Sequence, residues 1–195
     1  MKIFPSIRLL HPVYLFVLFL AAQANAEEDW SLTFFHGAVS GDSIANVLML
    51  SGNFKYSNSY LAIAAARKIK KHANLDWEVE GQFVHHTGTL QKHLEFNGLI
   101  LARWNTFPWD NILDTSFAIG EGLSLATQVP EIEKRHHDEA SALLNYLLFE
   151  LTFPLQFLTA TDFVVRIHHR SGVFRLFNGV TGASNAIGFG IKRTF

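Results

Sequence analysis

FVVRIHHRSG, residues 163–172, and SNAIGFGIKRTF, residues 184–195, decide how the chain is read. In the first segment Phe163, Val165, Ile167, His169 and Ser171 alternate with Val164, Arg166, His168 and Arg170. A strand sends such sets to opposite faces, so one face is apolar until it ends in an imidazole and a hydroxyl, and the other is mostly ionisable. The second segment repeats the rhythm, with Ile187, Phe189 and Ile191 set against Ala186, Gly188, Gly190 and Lys192, and the chain stops at Phe195. Two strands with an apolar outer face and a polar inner one predict the last hairpin of a membrane β-barrel. Counting back in twos from Ile187 puts Asn185 on the face, and at the end of the hairpin, that carries His169 and Ser171. A Ser beside a His, with a third group to hold the ring, is the arrangement of an activated hydroxyl nucleophile.

Upstream the same period recurs. It is clearest at 75–83, where Leu75, Trp77, Val79, Gly81 and Phe83 oppose Asp76, Glu78, Glu80 and Gln82. Further strands are predicted at 30–38, 57–69, 94–104, 112–126 and 142–153. The alanine-rich 57–69 segment is read as a strand rather than a helix, because small side chains suit the interior of a narrow barrel. Connections alternate between long and short, as in outer-membrane barrels. The fold expected is therefore all-β, an eight-stranded antiparallel transmembrane β-barrel over 27–195. Asp76, Glu78 and Glu80 would share its lumen with Arg166, His168 and Arg170 as an ion-pair plug. Glu121 falls in the apolar register of its strand, which implies either a bulge that returns it to the lumen or a functional carboxylate. Residues 130–139, PEIEKRHHDE, read as a solvated loop.

Residues 1–26 read as a secretory signal peptide. Lys2 and Arg8 precede an apolar run over 13–22, and Ala24-Asn25-Ala26 forms the cleavage site. This predicts export to a Gram-negative outer membrane. Sixteen basic residues against seventeen acidic ones give no reason to propose nucleic-acid binding, and the absence of cysteine removes disulfides and thiolate metal sites. The doublets His85-His86, His136-His137 and His168-His169 do not chelate as pairs within a strand, because neighbours point to opposite faces. No metal site and no cofactor are expected, and a homodimer is left open. A soluble lipid-binding barrel with its faces reversed, aromatics inward and charges outward, is the competing architecture.

The final hairpin resembles the lipid A 3-O-deacylase (PagL-type) family of outer-membrane barrels, which remove an ester-linked acyl chain from lipid A. The motif that carries the resemblance is His169-Arg170-Ser171. The resemblance implies lipid A or lipopolysaccharide as partner, His169 as general base and Ser171 as nucleophile. The family places a catalytic Glu near the start of the last strand, where this chain reads Gly182-Ala183-Ser184-Asn185. Asn185 is then the group expected to orient His169, with Glu121 or Glu150 as substitutes for the missing charge and a slower enzyme as the result. The Asn that follows the family's Ser is replaced by Gly172. Arg170, Lys134 and Arg135 are expected to meet lipid A phosphates, and backbone N–H groups near Gly172 or the Asn185 amide to stabilise an oxyanion. The alternative function is a non-catalytic structural or lipid-binding barrel.

Overall fold

The computed structural model describes residues 29–195 apart from 50, 53, 55–57, 89–90, 137–138, 174, 178 and 181–182. The predicted signal peptide lies outside the described residues. Eight antiparallel strands form a closed barrel in which each pairs with its sequence neighbours and β1 closes on β8. They are β1 Trp30–Ser40, β2 Asn58–Lys70, β3 Leu75–Gly88, β4 Leu94–Trp104, β5 Ser116–Ala126, β6 Leu143–Pro154, β7 Thr161–Ser171 and β8 Ala183–Thr194. Closure removes the open edges that a sheet of this size would otherwise present. The connections at one end, 41–57, 89–93, 127–142 and 172–182, carry two short helices, α1 Ile44–Leu48 and α2 Glu131–His136. The other end has 71–74, 105–115 and 155–160.

Side-chain alternation sorts the barrel as the sequence requires. Phe34, Trp77, Phe83, Phe96, Trp104 and Phe189 are exposed on the outside, while Tyr60, Ala62, Ala64 and Ala66 of β2 are buried inside. The reversed, soluble arrangement is thereby excluded. Among the described residues no helix is long and apolar enough to cross a membrane; the spanning elements are strands, whose backbone groups are satisfied by their neighbours.

The lumen is filled rather than open. Arg166, fully buried, makes a two-pronged contact with Glu80 at 2.8 Å on each arm and also donates to Glu150. Arg103 bonds Glu78 at 2.7 Å and Glu150 at 2.5 Å, and Lys192 bonds Glu150 at 3.1 Å. Glu78, Glu80 and Glu150 are thus balanced by Arg103, Arg166 and Lys192. Such a cluster persists in a low-dielectric interior because every charge has an opposite charge and a hydrogen bond. A charged plug is present, but with other partners than predicted: only Glu80 and Arg166 pair as expected, while Asp76 accepts from Asn105 at 2.9 Å, His168 bonds Tyr146 and Arg170 bonds Glu133.

Three details differ from expectation. β5 begins at Ser116 rather than 112; Ile112 and Leu113 are exposed in the preceding turn, where the Trp109 indole N–H donates to Thr115 Oγ1 at 3.0 Å. No bulge returns Glu121 to the lumen. β5 keeps unbroken register with both β4 and β6, so Glu121 stays exposed on the outer face, opposite Ile100 and Leu147. The segment 130–139 is not simply a solvated loop. Its helix α2 sends Ile132 and Glu133 into the barrel mouth, where both are buried and Glu133 accepts from Arg170 at 2.5 Å and from Ser184 at 2.8 Å.

Candidate active site

β7 and β8 bring the predicted residues together through their register. His169 stands directly opposite Asn185, and Ile167 opposite Ile187, so all four share the outer face. His169 Nδ1 lies 2.7 Å from Asn185 Oδ1, and Asn185 Nδ2 donates to the backbone carbonyl of Asp42 at 2.6 Å. A carbonyl only accepts, so the Asn185 amide must turn its N–H toward Asp42 and its oxygen toward the ring. The ring must then carry its proton on Nδ1. Nε2 is left with the lone pair, as a general base needs.

Asn185 is 2% exposed, because the loop after β1 folds over it. Ser40, its partner in β1, donates to Asp42 Oδ2 at 2.9 Å, and the Asp42 N–H donates back to Ser40 Oγ at 3.1 Å. Ser43 caps α1, accepting from the Asn46 N–H at 3.3 Å, and α1 rests against β7 and β8 with Val47 fully buried. The contribution of Asp42 escaped the sequence reading, since a loop residue has no periodicity to give it away.

Ser171 lies two residues beyond His169 on the same face, half-buried and opposite Asn145 of β6. Among the described residues no hydrogen bond joins its hydroxyl to His169. Asn145 donates to the Glu121 carboxylate and, at 3.3 Å, to the Gly122 carbonyl. Ser40, Asn185, His169, Ser171, Asn145 and Glu121 therefore form one polar band across five adjacent strands of a largely apolar outer wall, which also exposes His36 on β1.

Neither proposed substitute carboxylate reaches the imidazole. Glu150 is on the inner face, committed to Arg103, Arg166 and Lys192. Glu121 sits two strands from His169, about 10 Å by strand spacing. Two further expectations are corrected. Arg170 is buried in the mouth of the lumen, bonded to Glu133, Ser124 and the carbonyls of Ser141 and Ala142, so it is unavailable to a phosphate outside. Lys134 and Arg135 are exposed on α2, with Lys134 paired to Glu131 at 2.7 Å. The Asn185 amide spends its oxygen on the ring and one N–H on the Asp42 carbonyl, and it is buried under the loop after β1, which leaves only its second N–H as a candidate oxyanion donor.

The replacement at Gly172 has a physical reason. A Cβ at that position would lie 2.0 Å from the Val180 carbonyl oxygen, so the returning loop leaves no space for a side chain. In the same loop Val173 and Arg175 hold φ of 45° and 76°, an unfavourable region for residues other than glycine.

No protein-family model matches this sequence, and no curated protein matches it. Among solved structures, the chain resembles the crystal structure of the outer membrane enzyme PagL, with a TM-score of 0.54 and 9% sequence identity over 85% of this chain and 99% of that one. At that identity the likeness is one of fold, an eight-stranded barrel of the outer-membrane type.

Proposed function

We propose that the protein is an outer-membrane ester hydrolase that removes an acyl chain from lipid A. The observation that carries this reading is the Asp42–Asn185–His169 chain of hydrogen bonds, which holds the imidazole by Nδ1 and leaves Nε2 free on the same outer face as Ser171, two residues on. The likeness in fold to an outer membrane enzyme supports the same location, with the long-loop end outward and the site at the level of the outer leaflet.

In the proposed reaction His169 Nε2 takes the Ser171 hydroxyl proton as Ser171 Oγ bonds to the ester carbonyl carbon. The tetrahedral intermediate collapses with cleavage of the carbonyl carbon to sugar oxygen bond, and the imidazolium returns its proton to the departing alcohol. Water, deprotonated by His169, then releases the fatty acid from Ser171. General-base assistance of this kind is worth roughly 10²- to 10⁴-fold. The Ser171–His169 bond would close on substrate, as catalytic hydrogen bonds in ligand-free enzymes often do. Backbone N–H groups at Gly172 are the proposed oxyanion donors. The polar band fits this scheme. A carboxylate such as Glu121 is costly amid hydrocarbon and nearly free at the interface, so the band marks the level of the sugar esters rather than the acyl tails.

A second reading, a barrel that holds lipid without cleaving it, is favoured by one observation: His169 has a neutral amide where a carboxylate would stabilise its charged form. Mass spectrometry of lipid A from cells expressing the protein or its Ser171→Ala variant separates the two. Loss of one acyl chain with the parent protein alone is expected. Unchanged lipid A in both, with the barrel assembled, would leave the lipid-holding reading.

A further inference from the structure

We propose a second site, unconnected with the ester chemistry: a divalent transition-metal site of the zinc class at the long-loop end of the lumen, formed by His86, His93 and Glu95. The β3–β4 ladder creates it. Val84 pairs with Glu95, and the His86 N–H donates to the His93 carbonyl at 3.0 Å, so His86, His93 and Glu95 all project inward from one hairpin. All three are buried, and their ligand atoms lie within 4.8 Å of one another. Glu95 Oε2 stands 3.2 Å from His86 Nε2 and 4.0 Å from His93 Nε2. Ligands of a tetrahedral zinc are separated by about 3.3 Å, so small rotations suffice to admit the ion.

The hydrogen-bond accounting points the same way. His93 Nδ1, His93 Nε2 and His86 Nδ1 are buried without a partner, a costly state for ring nitrogens. The rings instead stack on each other at 4.3 Å. A metal ion would take the Nε2 lone pairs and leave the Nδ1 atoms as donors; Gln91 Oε1, likewise buried and unpartnered, lines the same hollow as an acceptor. With neutral imidazoles, the charged groups described around that hollow are Glu95 and Glu133 against Arg170, a net negative balance suited to a cation. An open depression lined by His85, His86, Lys92, His93 and Thr127 gives a route in from outside. Bound metal would clamp the β3–β4 hairpin at its mouth.

The test uses the full protein, without any polyhistidine tag, extracted in detergent free of lipopolysaccharide, stripped with chelator and titrated calorimetrically with Zn²⁺. One equivalent taken up at micromolar Zn²⁺, with a raised melting temperature, is expected. His93→Ala should weaken uptake roughly 100-fold or more while the barrel stays folded, since that ring makes no side-chain hydrogen bond to lose. His86→Gln provides the same comparison should the first variant fail to fold, and His36→Ala, exposed on the outer face of β1, should bind like the parent. Absence of uptake by the parent, or uptake unchanged in His93→Ala and His86→Gln, would overturn the site.

Discussion

The tautomer of His169 is set by a backbone carbonyl in the loop after β1, passed on through the Asn185 amide. Replacing Asn185 by Leu removes the acceptor that holds Nδ1–H and lets the ring turn. Turnover should fall roughly 10- to 100-fold, in kcat more than in KM, because the lost interaction orients the base rather than binding lipid. Ser171→Ala should abolish turnover without moving the urea midpoint of the barrel, whereas His169→Ala should abolish turnover and, by leaving the buried Asn185 oxygen without its donor, lower stability by about 1–3 kcal/mol. A micellar lipid A assay and a denaturant titration of the same preparations check both statements. At this scale the sequence was informative wherever parity was the question. Counting in twos from Ile187 is sufficient to set Asn185 beside His169, as the ladder does. It is insufficient for Glu121, because parity cannot distinguish a bulge from an outward carboxylate. The His doublets illustrate the same limit: neighbours do oppose each other, but the partners of His86 come from across the hairpin, and only register reveals them.

Among the elements, β1 and β2 show how little spare room the barrel has. Tyr60 occupies the interior opposite Gly37, and a Cβ at Gly37 would stand 2.3 Å from the Ile187 carbonyl oxygen and 2.4 Å from the Tyr60 hydroxyl. Gly37→Val is therefore expected to lower barrel stability by about 1–3 kcal/mol, read as a lower urea midpoint in detergent. The alanines of β2 were legible as strand because small side chains suit a narrow barrel interior and the next strand alternates clearly, and Ala62, Ala64 and Ala66 are buried there. The start of β5 was misread since Ile112 and Leu113 are apolar in a turn, and an exposed apolar turn at a membrane boundary looks like strand in composition. α2 was hidden for the opposite reason: its charges suggested solvent, whereas Glu133 is drawn inward by Arg170, a partner 37 positions away.

For the molecule as a whole, stability centres on Glu78, Glu80, Glu150, Arg103, Arg166 and Lys192. Arg166→Met leaves Glu80 and Glu150 short of their cation in the interior and should cost about 3–5 kcal/mol; adding Glu80→Gln should restore part of that loss. Heat-dependent gel mobility of the two variants measures the difference. An unrecovered double variant would mean that Arg166 is held chiefly by packing, for instance on the Phe35 ring 4.8 Å from its guanidinium. The pairing of these charges also has a bearing on biogenesis. Arg166 on β7 and Glu80 on β3 are 86 positions apart and lie on strands that never adjoin in the sheet. Arg166 keeps Glu150 on the adjoining β6, but Glu80 meets Arg166 only when the sheet curls to bring β7 across the lumen from β3, so a half-rolled sheet would carry that carboxylate without this cation. Entry of β3 into the bilayer ahead of β7 is thereby penalised, which favours curling of the sheet before full insertion.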